Sequence, residues 1–247
     1  GAVPRGGGPR TLCAARASEA VVGGWRCYGW LRTRNLQNRF AAVEPERSAS
    51  RPAAKHLATP ALGYGANAAW RQVADAWTWE VGGDVRVTDG ETREFFRNLG
   101  DGFTRGRVAG GRTLVGGVYG ETTYEAERLL LTGGVRLDGW SARDARRIER
   151  DLNGGAILLD SRAEDSSGAT PTGRLGARLA LTDTVYLRGA AYSGFRPPTL
   201  NELHRPFRVG NDITEANPDL EPEHLYGVEA AVGGVGQIGR ASGRESV

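Results

Sequence analysis

The side chains best equipped for metal or nucleophilic chemistry are three histidines and two cysteines. His56, His204 and His224 are scattered along the chain. His204 has Glu202, Asp212 and Glu221 near it in sequence, but no spacing among them resembles a known ligand set. They read as polar loop residues. Cys13 and Cys27 make no metal framework, and their spacing gives no support for a disulfide. Ser166 and Ser167 lack the frame of a nucleophile elbow, and the glycine-rich runs at 6–8 and 233–236 lack the sequence of a phosphate loop. No catalytic, cofactor-binding or metal-binding residue is assigned, and ligand-binding residues are unknown at this level. An enzyme is not expected. A formal net charge of +3 is too small to argue for a nucleic-acid partner.

The residues that do form a pattern are structural. Glycine is abundant, at 37 residues, and hydrophobic residues make up only 39%. No window reaches the roughly 18 unbroken apolar residues of a membrane helix. Instead, apolar and polar residues alternate over segments of about ten, the length that crosses a bilayer as a tilted strand. In Trp77 to Val87 one face carries Trp77, Trp79, Val81, Val85 and Val87, and the other Thr78, Glu80, Asp84 and Arg86. Period two separates these sets on a strand, whereas a helix would mix them.

The same rhythm recurs from Arg128, Thr172 and Thr184, and more weakly near 21–32, 61–71, 113–122 and 223–232. This predicts about eight strands. Trp79, Val81, Val85, Leu129, Leu131, Leu175, Leu179 and Leu187 are expected on one convex face. Glu80, Asp84, Arg136, Arg174, Arg178, Arg188 and Glu229 are expected on the concave one. An Arg facing mid-bilayer lipid would cost about 2–4 kcal/mol, so such sorting fits a wet lumen inside a lipid-facing wall. Trp70, Trp77, Trp79 and Trp140 fall at or near strand ends, where an interfacial aromatic girdle belongs.

Connections sharpen the class. Short ones at Val73–Ala76, Thr123–Glu127 and Thr182–Asp183 alternate with long polar stretches near 34–60, 88–111, 140–169 and 195–221. Short periplasmic turns and long extracellular loops distinguish outer-membrane barrels. The expected fold is all-β: a transmembrane antiparallel up-and-down β-barrel, incomplete, with about eight strands of a larger barrel. Residues 1–20 lack periodicity and read as an irregular N-terminal segment of a truncated chain. Residues 21–237 form the barrel fragment. The stretch 238–247, IGRASGRESV, breaks the alternation and reads as a non-native, adapter-like tail. The sequence contains no Met, which fits an internal piece of something longer.

From Val185 to Glu223 the chain reads VYLRGAAYSGFRPPTLNELHRPFRVGNDITEANPDLEPE. Phe195, Arg196, Pro198, Thr199, Leu200, Asn201, Glu202 and Leu203 are followed by Asn217, Pro218, Leu220, Pro222 and Glu223. This resembles the late-barrel motif of TonB-dependent outer-membrane receptors. Asn35 to Val43, NLQNRFAAV, resembles an extracellular loop of the same family. Physically, Pro197 and Pro198 cannot donate ladder hydrogen bonds, so the strand ends near Phe195. Gly210, Asn211 and Asp212 form turns readily, and Leu200, Leu203 and Phe207 could anchor the loop to the wall. The segment reads more as an architectural clamp than as a ligand site.

The resemblance implies a larger protein, whose lumen is filled by an N-terminal plug domain missing from this fragment. It implies an active-transport receptor in the bacterial cell outer membrane, importing a scarce solute such as a siderophore, a cobalamin-like compound or a glycan with TonB-coupled energy. Its partners would be outer-membrane lipid, the plug, the TonB energy-coupling complex and the small solute. The alternative is a passive porin-like or structural outer-membrane barrel. A soluble β-rich enzyme or binding module is opposed by the sorting of charge.

Overall fold

The structure is a computed structural model, and it describes residues 10–13, 23–43, 48–98, 100–209 and 212–234. The strands are β1 (Arg10–Cys13), β2 (Gly23–Arg34), β3 (Asn38–Val43), β4 (Ser50–Ala58), β5 (Ala61–Ala74), β6 (Trp77–Asn98) and β7 (Phe103–Glu125). They continue as β8 (Leu129–Asp151), β9 (Ile157–Arg162), β10 (Ser166–Ala180) and β11 (Val185–Arg196). A short helix, α1 (Leu200–His204), and a small hairpin of β12 (Phe207–Val209) and β13 (Asp212–Thr214) precede β14 (Glu223–Gly234). The main sheet runs β1-β2-β5-β6-β7-β8-β10-β11-β14, and β3, β4 and β9 are attached above it. Every ladder is antiparallel, and β1 and β14 stand at opposite ends of the path, so the sheet is an open piece of barrel wall. Among the described residues no helix is long and apolar enough to cross a membrane; crossing is done by strands.

The expected eight strands are β2, β5, β6, β7, β8, β10, β11 and β14. Within the segment read as irregular, Arg10–Cys13 instead pairs with β2. The 238–247 segment lies outside the described residues.

Register fixes the faces. Val81 pairs with Gly120, Gly120 with Val135, Val135 with Gly173 and Leu179 with Leu187. Gly133 pairs with Leu175, and Leu187 with Val232. Pairs directly opposite in a ladder share a face, so every apolar residue of the expected set falls on one side. Its exposure is what lipid requires: Val135 is 72% exposed and Val228 85%. Glu80, Asp84, Arg136, Arg174, Arg178, Arg188 and Glu229 fall on the other side by the same register. Both expected faces are therefore present.

The apolar face has two borders. At the short-turn end lie Trp25, Trp70, Trp77, Trp79 and Tyr124, with Trp77 stacked on Trp79 at 5.5 Å and 4.8 Å from Tyr124. At the other end charge appears abruptly, where Asp89, Arg112 and Arg143 align across three strands. Between them β6 carries no charged residue on this face from Trp77 to Val87. Those ten steps rise about 33 Å along the strand, which at a tilt of about 40° spans about 25 Å, the height of a lipid-facing band. Trp140 departs from expectation. It is on the polar face, with its ring against Gly168, because its position has the parity of Asp138 and Arg136.

The polar face is the inner one, since its side chains meet across an intervening strand. Arg136 on β8 reaches Asp84 on β6 at 2.6 Å, and Arg26 on β2 reaches Glu80 on β6 at 3.1 Å. Arg174 on β10 reaches Glu121 on β7. Strands two apart are about 9.6 Å from each other, so these contacts need a bare strand between them. Gly117 and Gly134 supply it beneath Arg136 and Arg174, and the small Ala69 beneath Arg26. A Cβ at Gly117 would meet the Leu137 carbonyl and Asp138 Oδ1, each at 2.6 Å, and Arg136 Nη2 at 2.8 Å. Aromatic rings use the same device: Trp30 lies over Gly65, Tyr119 over Gly82, Tyr192 over Gly227 and Tyr186 over Gly233. Tyr119 thereby donates to Glu80 at 2.8 Å and Tyr192 to Glu229 at 3.0 Å.

Three of the long connections differ from expectation: within 34–60, β3 and β4 form a hairpin that pairs with β6. The stretch 88–111 is mostly hairpin: β6 continues to Asn98 and β7 resumes at Phe103. In the turn Asn98 Oδ1 accepts from the Gly100 and Gly102 N–H groups at 3.0 and 3.3 Å, with both glycines at positive φ. Likewise β8 continues to Asp151, β9 pairs beside it, and β10 begins at Ser166. Above the lipid both faces meet water, so the apolar alternation stops although the ladder does not.

These contacts set a test within one strand. Gly117→Val in the complete receptor is expected to destabilise it by about 1–3 kcal/mol through overpacking. At Gly120, three residues away on the outer face, a Cβ would meet only a Val81 methyl at 3.9 Å, and Gly120→Val is expected to stay within about 0.5 kcal/mol. Urea unfolding in detergent measures both, and equal effects would contradict the assignment of faces.

Candidate functional site

The β11–β14 connection folds back onto the inner face, and its construction starts at Pro197 and Pro198, which end β11. Thr199 follows in extended conformation (φ −82°, ψ 158°) and caps α1. Its hydroxyl accepts from the Glu202 N–H at 3.4 Å, and the Glu202 carboxylate accepts from the Thr199 N–H at 2.7 Å. This reciprocal capping box lets a helix of five residues exist. The helix ends at Arg205, which is extended and precedes Pro206, a residue that restricts its predecessor to such conformations.

One guanidinium ties the segment together. Arg196 donates to Glu202 at 3.0 and 3.1 Å and to Glu223 at 2.7 and 3.0 Å. It thus joins the end of β11, the helix and the start of β14. The Asn217 N–H adds a bond to the Glu202 carbonyl at 3.1 Å. The Arg196 guanidinium, then the Thr199 N–H and hydroxyl, hold the Glu202 carboxyl down at about 2.

A second cluster fastens the segment to the wall. His56, Glu94, Arg107 and Glu149 form a row across β4, β6, β7 and β8. Glu94 is 4% exposed and receives Arg107 at 3.0 Å, Arg205 at 3.1 Å and His56 at 3.2 Å. Arg205 also contacts His56 Nε2 at 2.7 Å, and Arg107 donates to Glu149 at 2.8 Å and to the Pro206 carbonyl at 3.0 Å. Phe96 lies under the Arg107 guanidinium, 4.2 Å from ring centre to charge. Removing one partner of such a buried ion pair costs roughly 3–5 kcal/mol. Leu203, 2% exposed, supplies the apolar anchor expected of it, while the Phe207 side chain lies outside the described residues. Between Pro197–Asn201 and the inner face of β5–β7 lies a groove of about 410 Å³.

The family model described as "TonB dependent receptor-like, beta-barrel" matches residues 24–241. The chain belongs to the TonB-dependent receptor family. In fold it is similar to the copper transporter OprC, with a TM-score of 0.66 and 19% identity over 91% of this chain and 36% of that one. It is similar also to the ferric yersiniabactin uptake receptor FyuA from Yersinia pestis (TM-score 0.61, 13% identity, 87% and 31% covered). A third similar structure is the closed form of the ferric-catecholate import receptor Fiu from E. coli K12 (TM-score 0.53, 16% identity, 86% and 36% covered). No curated protein matches in sequence. The chain spans about a third of the length of these receptors.

In this receptor chain His56 sits in the Glu94 cluster, on β4 and not in a loop, while the other side chains with chemical potential are kept apart. Glu202 is exposed and bound to Arg196, whereas His204 is buried against the wall near Gly111, where burial lowers its pKa. His224 is on β14 opposite Phe195. The Asp212 side chain lies outside the described residues. Among the described residues no cluster of His, Cys, Asp or Glu could hold a metal. Cys27 is an exposed free thiol opposite Ala68, and Cys13 pairs in register with Trp30. The Asn35 motif is a tether: Asn35 Oδ1 accepts from the Thr59 N–H at 3.1 Å, and the Thr59 hydroxyl bonds both polar groups of the Leu36 backbone.

Sequence reasoning misses Glu94, Arg107 and Glu149 because they lie beyond the lipid level, where apolar alternation no longer marks a strand. A hairpin centred on Gly100 and Asp101 would have set Glu94 opposite Arg107, as the register does.

Glu202 gives the receptor a pH dependence of defined sign. Its folded pKa is depressed from 4.5 to about 2. Its stabilisation is therefore fully present above 4.5 and is lost as pH falls through about 2. Hydrogen-exchange protection of the Leu203 and Arg205 amides, which bond the Thr199 and Asn201 carbonyls, is expected to drop over that window. Glu202→Gln should lower protection at neutral pH and flatten the pH profile. A wild-type profile in the variant would contradict the clamp.

Proposed function

We propose that the intact protein is an active-transport receptor of the bacterial outer membrane. It imports a scarce solute, such as a siderophore, a cobalamin-like compound or a glycan, with energy delivered through TonB. The observation that carries the reading is the family match over residues 24–241, on a wall whose outer face suits lipid and whose inner face is charged. Its partners are outer-membrane lipid on the apolar face, an N-terminal plug domain within the lumen, the TonB complex and the small solute.

The inner face supports the presence of a plug. Arg178 and Arg188 point into the lumen and form no ion pair among the described residues. A folded domain with acidic groups would complement them.

Uptake of radiolabelled solute by cells carrying the complete receptor tests this. Import is expected to stop when a protonophore collapses the inner-membrane gradient, with surface binding retained. Import that continues unchanged would reject active transport in favour of a passive porin-like barrel.

A further inference from the structure

The groove beneath Pro197–Asn201 has a marked imbalance of charge. Arg34, Arg86, Arg196 and Arg205 line it. Arg196 is balanced by Glu202 and Glu223, and Arg205 by Glu94. Arg34 and Arg86 form no ion pair among the described residues, and both are exposed. The carboxylate at the rim, Glu91, pairs with Arg93. Two guanidinia thus face an open volume of about 410 Å³ without an anion.

Their placement follows from register. Trp30 and Arg86 both lie level with Gly65, and Arg34 is level with Gly90, four residues further along β6. The two charges sit on β2 and β6, with β5 between them. Between them the floor is made by Ala61 of β5 and Gly90 of β6, which pair in register and carry little side chain. Thr88, Thr92 and Thr113 line the same volume from β6 and β7, on the inner face by their parity with Arg86. The wall therefore offers separated guanidinium forks and hydroxyls at one place. Guanidinium forks pair with planar oxyanions in two-bond geometry. A cationic solute would meet uncompensated like charge, and a purely apolar one would leave both arginines unpaired.

We infer that this groove is a binding subsite for a solute bearing several oxyanions, such as a polycarboxylate or an anionic metal chelate. This rests on the transport reading and narrows its substrate class. Arg34 and Arg86 each take one oxyanion, and the three threonines bond the flanking oxygens. The Arg196 and Arg205 clamps hold the Pro197–Asn201 roof over the bound solute.

Isothermal titration of the complete receptor in detergent tests the assignment, using ferric citrate, metal-free citrate and a neutral ferric trihydroxamate as probes. Ferric citrate is expected to bind, alone or together with citrate, and to weaken about tenfold in Arg34→Gln and in Arg86→Gln, and about a hundredfold in the double variant. If citrate binds as well as its ferric form, the subsite reads oxyanions themselves; if only the ferric form binds, it reads the anionic chelate. Arg71→Gln, on the same inner face but outside the groove, should bind as wild type and so reports intact folding. Three results would overturn the inference: neither anionic probe binding up to about 1 mM, binding unaffected in the double variant, or equal losses for the neutral chelate. Equilibrium binding in detergent needs no energy. Loss of energised uptake with binding intact would fail the transport reading alone. Energised uptake with binding indifferent to Arg34 and Arg86 would fail this inference alone.

Discussion

Every backbone N–H and C=O within the hydrocarbon layer must find its partner inside the protein, because lipid offers none and each unpaired group costs several kcal/mol. The rest of this wall follows from that constraint. The strands pair with their neighbours in one antiparallel ladder from β2 to β14. Once the ladder is fixed, period two leaves each residue one choice, lipid or lumen. The outer choice is apolar over about 25 Å, and the inner choice collects the charges. Because a ladder spaces neighbouring strands too far apart for compact inner packing, glycines at Gly65, Gly82 and Gly117 let rings and guanidinia cross a strand.

Beyond the line of Asp89, Arg112 and Arg143 the constraint relaxes, but the ladder continues. There the sheet stands in water, and sorting by polarity gives way to ion pairing. The row from His56 to Glu149 and the clamp at Arg196 belong to this upper level. They fix the β11–β14 connection against the wall, so the residues that could meet a solute sit on a rigid support. Two further arginines, Arg34 and Arg86, stand without an ion pair among the described residues in the groove beside it.

Much of the lipid-level wall was legible in the sequence because lipid enforces alternation. Leu175 beside Arg174 could only go to opposite faces, and they do. Trp77 and Trp79 were placed for the same reason. Trp140 was not, because proximity to a strand end says nothing of parity; its register with Gly168 puts it inside. The upper hairpins look like loops in the sequence because water removes the apolar signal while leaving the hydrogen bonds. Of the candidate site, the motif from Phe195 to Glu223 was recognised as a clamp, but its closing contacts were not. Arg196 meets Glu223 across 27 positions, and Arg205 meets Glu94 across 111; only the fold brings such residues together.

The central claim is that β6 is one continuous strand from Trp77 to Asn98, lipid-facing at alternate positions only as far as Val87. A nitroxide scan of β6 in the complete receptor, reconstituted in bilayers, measures this directly through accessibility to oxygen and to a water-soluble nickel chelate. The account predicts oxygen contact at 77, 79, 81 and 85, nickel contact on that same face from 89 onward, and a period of two in label mobility through to 98. Oxygen contact at 80 or 84, or loss of the period beyond 88, would contradict it.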